Sequence, residues 1–253
     1  MQPRVAEELA FTYSMLRRYD DGIALLDLVI EMEPENHSAK VGKGYQVIRR
    51  DGTADTLAAM LQRIPADWDE GGQGVWARVG LALLQRRPKQ ALDVLNATPS
   101  DWSFGKGPIA RYRLELRAQV YAQMGDTVRA RADYETARAA LQDSVTANPT
   151  DPWWRALLGL AYAGLQQRSD AVREARLATE LLPVSKDAIG GPRVMATAAE
   201  ILARVGDTDG ALELLDRLLG MNAGVVASVP LMRLDPAWDP LRKDPRFERL
   251  LQR

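Results

Sequence analysis

Apolar side chains recur every three or four residues along nearly the whole chain, which is the spacing that places them on one face of an α-helix. The first two stretches with this spacing contain Val5, Leu9, Tyr13 and Leu16, and then Ile23, Leu26, Val29 and Ile30. The residues between them, Arg17 to Asp21, are polar enough to form a turn, and Pro34 ends the second stretch. This part of the sequence therefore predicts two helices joined by a short turn.

The same pattern occurs six times in succession. Glycines at positions 52, 125 and 206 lie in three of the turns, where glycine can adopt the left-handed conformation that ends a helix. The predicted pairs are 5–16 with 23–30, 40–50 with 53–64, 75–86 with 89–95, 109–124 with 128–147, 153–166 with 169–182, and 194–205 with 208–219. A unit that recurs in this way predicts a stack of helical hairpins.

Single residues also repeat at a fixed distance. Pro65 and Trp68 recur thirty-four residues later as Pro99 and Trp102. Small residues occupy equivalent places in the first helices (Gly80, Ala118, Gly159, Ala199) and in the second helices (Gly22, Ala91, Ala130, Ala171, Ala211). A small side chain at these places allows the two helices of a pair to approach closely.

This pattern resembles the tetratricopeptide repeat over about residues 4–220. The fifth pair carries the resemblance best, through Leu158, Gly159, Tyr162, Ala171, Ala175, Ala178 and Pro183. The first pair carries it through Leu9, Ala10, Tyr13, Gly22, Leu26, Val29 and Pro34, and the last through Ala199, Leu202, Gly206, Ala211, Leu215 and Leu218. The resemblance implies an all-α fold, a right-handed α-α superhelix of about six helical hairpins in a repeat domain spanning residues 1–222.

The remaining residues, 223–253, show a different pattern. Prolines at 230, 236, 240 and 245 exclude a long helix, so an extended segment with a short helix is expected. Its apolar residues Trp238, Leu241, Phe247, Leu250 and Leu251 would cap the last exposed pair. This tail is similar to the end of repeat regions in bacterial multidomain signalling proteins that carry a cyclase, a Ser/Thr kinase or a winged-helix domain. We therefore expect a sensory or scaffolding module from a longer protein.

Three segments depart from a regular repeat. The spacing between equivalent residues grows from thirty-four to about forty after the fourth pair, where we expect a longer second helix over 128–147. We interpret residues 186–192 as a linker, and the glycine-rich segments 70–74 and 103–108 as flexible junctions. These insertions predict a superhelix of irregular curvature.

Composition narrows the possible functions. The formal net charge is −1, which gives no long-range attraction to nucleic acid or to an anionic membrane. The chain has no cysteine, which excludes disulfides, thiolate metal sites and thiol nucleophiles. No apolar run is long enough to span a membrane. A cytoplasmic location is expected, or an extracytoplasmic one if a membrane helix lies upstream.

Few residues offer catalytic or metal chemistry. His37 is the single histidine and lies in a predicted solvated linker, so neither a catalytic triad nor a zinc site is expected. Gly71 to Gly74 and Gly105 to Gly107 lack the strand and the spacing of a phosphate-binding loop. Asp207 and Asp209 lack the further ligands of a calcium loop. We expect a non-enzymatic protein with no metal and no cofactor.

A binding surface is the remaining candidate site. By analogy with the family, the first helices line a concave groove whose inward residues are Phe11, Tyr45, Arg49, Glu115, Gln119, Trp153, Arg193, Glu200 and Arg204. Exposed aromatic and arginine side chains are typical of binding hot spots. The partner predicted for this groove is a protein or peptide segment. The groove lacks the Lys and Asn set with which some family members hold a C-terminal carboxylate.

Three alternatives stay open. Phe11, Tyr45 and Trp153 could simply pack between neighbouring pairs. The domain could sense a small molecule in an internal pocket near one of the insertions. The segment from Pro236 to Leu251 could dock onto a second copy and form a homo-oligomer.

Overall fold

The computed structural model describes residues 2–99 and 112–252, and in these residues the regular elements are helices without any β-strand. They form six consecutive hairpins that stack into a superhelix, as the apolar spacing predicts. The hairpins are α1 (Pro3–Met15) with α2 (Tyr19–Met32), α3 (His37–Asp51) with α4 (Asp55–Leu61), α5 (Gln73–Leu84) with α6 (Pro88–Ala97), α7 (Tyr112–Gln123) with α8 (Thr127–Ala147), α9 (Pro152–Gly164) with α10 (Arg168–Leu181), and α11 (Gly190–Arg204) with α12 (Thr208–Leu219). Three short elements follow: α13 (Val229–Leu234), a 3-10 helix (Pro236–Leu241) and α14 (Pro245–Leu250).

Each hairpin turn contains one residue with a positive φ. These residues are Arg17 (61°), Gly52 (72°), Arg86 (58°), Gly125 (79°), Gln166 (60°) and Gly206 (75°). Glycine adopts this conformation without strain, whereas in another L-residue it costs about 1 kcal/mol or more. Two arginines and a glutamine therefore occupy turns in which the backbone favours glycine.

Glycine permits close approach at two helix crossings, within the second hairpin at Gly44 and, at Gly159, between the fifth and sixth hairpins instead of within the predicted pair. A Cβ atom on Gly159 would lie 2.7 Å from the Cδ1 atom of Ile201, and one on Gly44 would lie 2.7 Å from the Cα atom of Leu57. Gly44 is the equivalent position in the second pair, thirty-four residues after Ala10. These contacts hold α3 against α4 and α9 against α11.

Two of the predicted insertions are partly helical. α11 begins at Gly190 because the Asp187 carboxylate accepts hydrogen bonds from the backbone amides of Ile189 (2.8 Å) and Gly190 (2.7 Å). The linker prediction for 186–192 is therefore wrong for its last three residues. A 3-10 helix covers Glu70–Gly72 and α5 follows at once. The predicted junction at 103–108 lies outside the described residues.

The last hairpin is capped by the tail. Trp238, Leu241, Phe247, Leu250 and Leu251 are all buried, and they pack in one cluster with residues of α11 and α12. This confirms the predicted contact between the tail and the last pair. The tail also makes a second set of contacts with the first three hairpins, which the sequence did not predict.

Candidate functional site

The first helices of the fourth, fifth and sixth hairpins lie beside one another, since α9 contacts both α7 and α11. Four of the nine predicted groove residues come together on a face formed by the first, second and last hairpins. The Arg193 guanidinium lies 5.8 Å from the centre of the Phe11 ring, and the Arg49 guanidinium lies 5.4 Å from the centre of the Tyr45 ring. Both distances allow cation–π attraction.

The two arginines of this group lack a carboxylate partner among the described salt bridges, unlike most arginines of the chain. Arg49 donates its Nε hydrogen to the carbonyl oxygen of Val225 at 3.0 Å. Burial lowers the pKa of Arg49, and the positive charge of Arg193 lowers it further. Arg193 also lies near the Asp187 carboxylate, since its charge helps to lower the pKa of Asp187. Arg49 and Arg193 are therefore neighbouring cations outside the described salt bridges, which makes this part of the face attractive to an anionic or polarised group.

Tyr45 also has a packing role. Its hydroxyl lies 2.7 Å from the place a Cβ atom would occupy on Gly80, so the ring fills the space between the second and third hairpins. Burial raises the pKa of Tyr45 to about 12. Tyr45 therefore supports the wall of the face in addition to lying beside Arg49.

Three other predicted groove residues bind one another. Arg204 donates to Glu115 at 2.9 Å and to Glu200 at 2.5 Å, and the Glu115 side chain is only 1% exposed. Burial raises the pKa of Glu115, although Arg204 opposes this shift. Burial would lower the pKa of Arg204, but Glu200 and Glu115 outweigh it and raise that pKa. This triad joins α7 to α11, and its charged side chains bind one another.

The last two predicted residues lie on α7 and α9. Gln119 is half-buried on α7. Trp153 is 36% exposed in the first turn of α9, where Asp151 caps the helix by accepting from the Trp153 amide at 2.8 Å. Trp153 thus presents an indole surface to solvent.

Residues 223–241, here named the strap, cross the superhelix from the last hairpin to the first. Arg17 donates to the carbonyl oxygens of Ala227 at 2.5 Å and of Leu218 at 2.9 Å. Gly224 donates its amide hydrogen to Met15 at 3.0 Å and accepts from the Tyr19 hydroxyl at 3.0 Å. The first and last hairpins are therefore in direct contact, and the superhelix closes on itself.

The strap continues over the second and third hairpins. A Cβ atom on Gly52 would lie 3.2 Å from Pro230, and Leu231 and Leu234 pack into the core of the second hairpin. Arg86 then holds the Asp239 carboxylate with both of its terminal nitrogens. The strap thus follows the row of left-handed turn residues in the first three hairpins. Two of these turns carry an arginine at a position where the backbone favours glycine. This is the sequence feature that could have indicated the contact with the strap.

A partly buried acid in the strap makes its attachment pH-dependent. Burial raises the pKa of Asp235 to about 6, and the charge of Glu200 adds to the rise, while the Ala237 amide and Arg86 oppose it. An acid whose pKa rises on folding binds more protons in the folded state, so its cost to stability disappears as the pH falls.

We expect the unfolding free energy of the wild type, relative to Asp235→Asn, to rise by about 1–2 kcal/mol between pH 7.5 and pH 4.5. Asparagine keeps the cap of the 3-10 helix, which the Asp235 side chain forms by accepting from Ala237 at 2.9 Å. Urea unfolding of both proteins across this range measures the difference. Parallel pH profiles would contradict the assignment.

His37 lies in a different environment from the solvated linker that the sequence predicts. Its side chain is 10% exposed, and its ring meets the Trp68 ring edge-on at 5.4 Å. The two rings line an open cavity of about 510 Å³ whose rim includes Glu7, Glu33, Glu35 and Glu70. Carboxylates around an indole ring attract cations. The sequence does not predict this arrangement, because the residues that form it are far apart along the chain.

The described residues contain no group of three or more His, Cys, Asp or Glu side chains able to hold a metal ion. Within the same residues, no helix is long and apolar enough to cross a membrane.

No family model matches the sequence, and no curated protein matches it either. Solved structures that resemble the chain include the type IV pilus biogenesis factor PilW, 16% identical, covering 86% of this chain and 92% of that one, with a TM-score of 0.47. A second is the thermophilic TPR protein TTC0263 of Thermus thermophilus, 15% identical over 100% of both chains, with a TM-score of 0.36. A third is the TPR2AB domain of yeast Sti1 in its pHSP90 complex, 12% identical over 99% of this chain and 98% of that one, with a TM-score of 0.31. The description of the fold rests on the helices of this chain, since these superpositions are loose.

Proposed function

We propose that this chain is a non-enzymatic scaffold or sensory module that binds a protein or peptide segment on its concave face. The proposed contact residues are Phe11, Tyr45, Arg49 and Arg193. The observation that supports this role is the placement of two arginines, neither of which forms a salt bridge among the described residues, beside two aromatic rings on a face formed by three different hairpins.

Preformed walls favour binding of this kind. The rings and guanidinium groups are positioned by helices, so little conformational entropy is lost when a partner binds. Aromatic and arginine side chains also give the largest energies per residue in protein interfaces. The triad of Glu115, Glu200 and Arg204 contributes rigidity to the face, because Arg204 binds both carboxylates.

We expect peptides selected from a random display library on the full chain to bind Arg193→Glu at least about 10-fold more weakly, the loss of one hot-spot contact. Arg193 is exposed, so its replacement leaves the hairpins intact. Calorimetric titration of the selected peptides gives the affinities. Arg138→Glu is the matched control, since Arg138 is a partly exposed residue of α8 whose described hydrogen bond goes to nearby Gln142. Failure to select any peptide, or equal affinity for both variants, would reject the concave face as the binding surface.

A further inference from the structure

The open cavity beside His37 and Trp68 is lined by charges of one sign. Its lining residues include the four glutamates Glu7, Glu33, Glu35 and Glu70, and no lysine or arginine is among them. The described partners of these carboxylates are the Asn36 amide and the His37 ring. No described salt bridge to a lysine or an arginine therefore cancels the negative charge of the cavity.

Two aromatic rings form adjoining walls of this cavity. The centres of the His37 and Trp68 rings lie 5.4 Å apart, and their planes meet at 80°. Trp68 packs against the core of the second hairpin. Arg78 donates to the carbonyl oxygens of Trp68 at 3.2 Å and of Pro65 at 2.6 Å, which fixes the loop that carries the indole. The cavity thus offers a preformed aromatic surface, and an indole face attracts an ammonium group within about 6 Å.

His37 brings a polar atom without a hydrogen bond to the same walls. Its side chain is 10% exposed, and its Nδ1 atom lies 3.4 Å from the Lys40 ammonium. Because an ammonium group only donates, Nδ1 accepts and Nε2 carries the ring hydrogen. Nε2 lies 3.7 Å from the Glu35 carboxylate, which is too far for a hydrogen bond. The imidazole is therefore a neutral wall that leaves the charge of the glutamates in place.

Asn36 fixes two of the carboxylates. Its Nδ2 atom donates to Glu7 at 2.9 Å and to Glu33 at 3.0 Å, while its Oδ1 atom caps α3 by accepting from the Ala39 amide at 2.9 Å. A carboxylate has two oxygen atoms that accept hydrogen bonds. Glu7 and Glu33 are therefore held in position and can still accept from a ligand.

The size of the cavity favours an organic cation over a metal ion. Its volume of about 510 Å³ is in the range of sites for small organic molecules. The described residues contain no group of three or more His, Cys, Asp or Glu side chains able to hold a metal ion. The carboxylates thus surround a space that suits a longer ligand with more than one positive charge.

We propose that this cavity binds an aliphatic chain that carries two or more ammonium groups. One ammonium group lies against the indole of Trp68, and the others donate to the surrounding carboxylates. A free polyamine and the lysine side chains of a peptide both have this chemistry. The site contains none of the contact residues of the proposed function, so its test is independent of that proposal.

Removal of two carboxylates tests the site. Glu35→Gln combined with Glu70→Gln changes two exposed side chains of the cavity. The control, Glu31→Gln combined with Glu248→Gln, removes the same charge from exposed positions of α2 and α14 outside the cavity. The probe is spermidine, titrated calorimetrically at about 0.15 M salt, where distant charges are screened. We expect at least about tenfold weaker binding for the first variant, the loss of one charge-assisted hydrogen bond, and unchanged binding for the control.

A second pair of variants tests the aromatic wall. We expect Trp68→Leu, which keeps an apolar group in the core contact, to bind spermidine about fivefold more weakly because the cation–π attraction is lost. Trp153→Leu is the control, since the Trp153 indole is exposed outside the cavity. Circular dichroism checks that both variants are helical. The glutamine variants decide the question alone if Trp68→Leu does not fold.

A second probe distinguishes the two sources of the ligand. Tighter binding of spermidine than of N-acetyl-dilysine amide identifies a free polyamine, and tighter binding of the dilysine identifies lysine side chains of a partner. Absence of binding by both probes at about millimolar concentration would overturn the site. Equal weakening by both pairs of glutamine substitutions would also overturn it, because the attraction would then come from net charge and not from the cavity.

Discussion

Replacing Arg204 with methionine is expected to lower the free energy of unfolding by about 3–5 kcal/mol, the cost of leaving a buried charge without its partner. Glu115 would keep its carboxylate in the interior, 1% exposed, after losing the guanidinium that neutralises it. Methionine fills a similar volume, so the loss is electrostatic. Chemical denaturation at pH 7 measures it.

Two comparisons isolate this electrostatic cause. Arg131→Met removes the same group from a pair with Glu135 that is 75% and 52% exposed, and its cost should stay below about 0.5 kcal/mol. The double variant Arg204→Met with Glu115→Gln should be more stable than Arg204→Met alone. If Arg204→Met is no more destabilising than Arg131→Met, the triad does not hold α7 to α11.

The pH dependence of Arg204→Met has a defined sign. The pKa of Glu115 is already raised by burial in the wild type, and removal of Arg204 raises it further. Between its unfolded and folded pKa values the folded state binds more protons, so this variant should regain stability as the pH falls from the folded toward the unfolded pKa of Glu115.

Adding one methyl group at Gly44 is expected to cost about 2–3 kcal/mol, the cost of overpacking a site that cannot relax. The new Cβ would lie 2.7 Å from the Cα atom of Leu57 and 2.8 Å from its Cβ atom. Because the nearest atom belongs to the backbone of α4, the two helices must move apart.

Gly42→Ala is the matched control on the same helix. Its Cβ would lie 3.6 Å from the nearest atom of Leu26, an ordinary contact. Alanine stabilises a helix by about 0.5–1 kcal/mol relative to glycine, so this variant should be slightly more stable than the wild type. Thermal unfolding of the two variants, measured side by side, compares their stabilities. Equal stability of Gly44→Ala and Gly42→Ala would show that α3 and α4 do not cross closely at Leu57.

The six hairpins were predictable because each depends on contacts between residues close in sequence. The recurrence of apolar residues was enough to predict α1 as a helix, but not its buried face: α1 buries Ala6, Ala10 and Met15, whereas Val5 and Leu16 are exposed. The turns were predictable in position but only partly in chemistry, since Arg17, Arg86 and Gln166 adopt the conformation expected of glycine.

The candidate site was less predictable because its contacts join distant residues. Glu115 and Arg204 are 89 residues apart, and their buried bond cannot be inferred from either local sequence. The same holds for the strap, because the anchors from Arg17 reach residues more than 200 positions away. Predicting a residue on the inner face is therefore easier than predicting whether its charge is free.

Closure of the superhelix by contact between its first and last hairpins is the central claim, and one distance tests it. The chain has no cysteine, so nitroxide labels can be placed cleanly at Leu16→Cys and Asn222→Cys, both exposed positions beside the Met15–Gly224 hydrogen bond. Pulsed electron paramagnetic resonance should give one narrow distribution near two helix diameters, about 20 Å. An open superhelix would separate the labels by five hairpin steps and give about 40 Å or more, which would contradict closure.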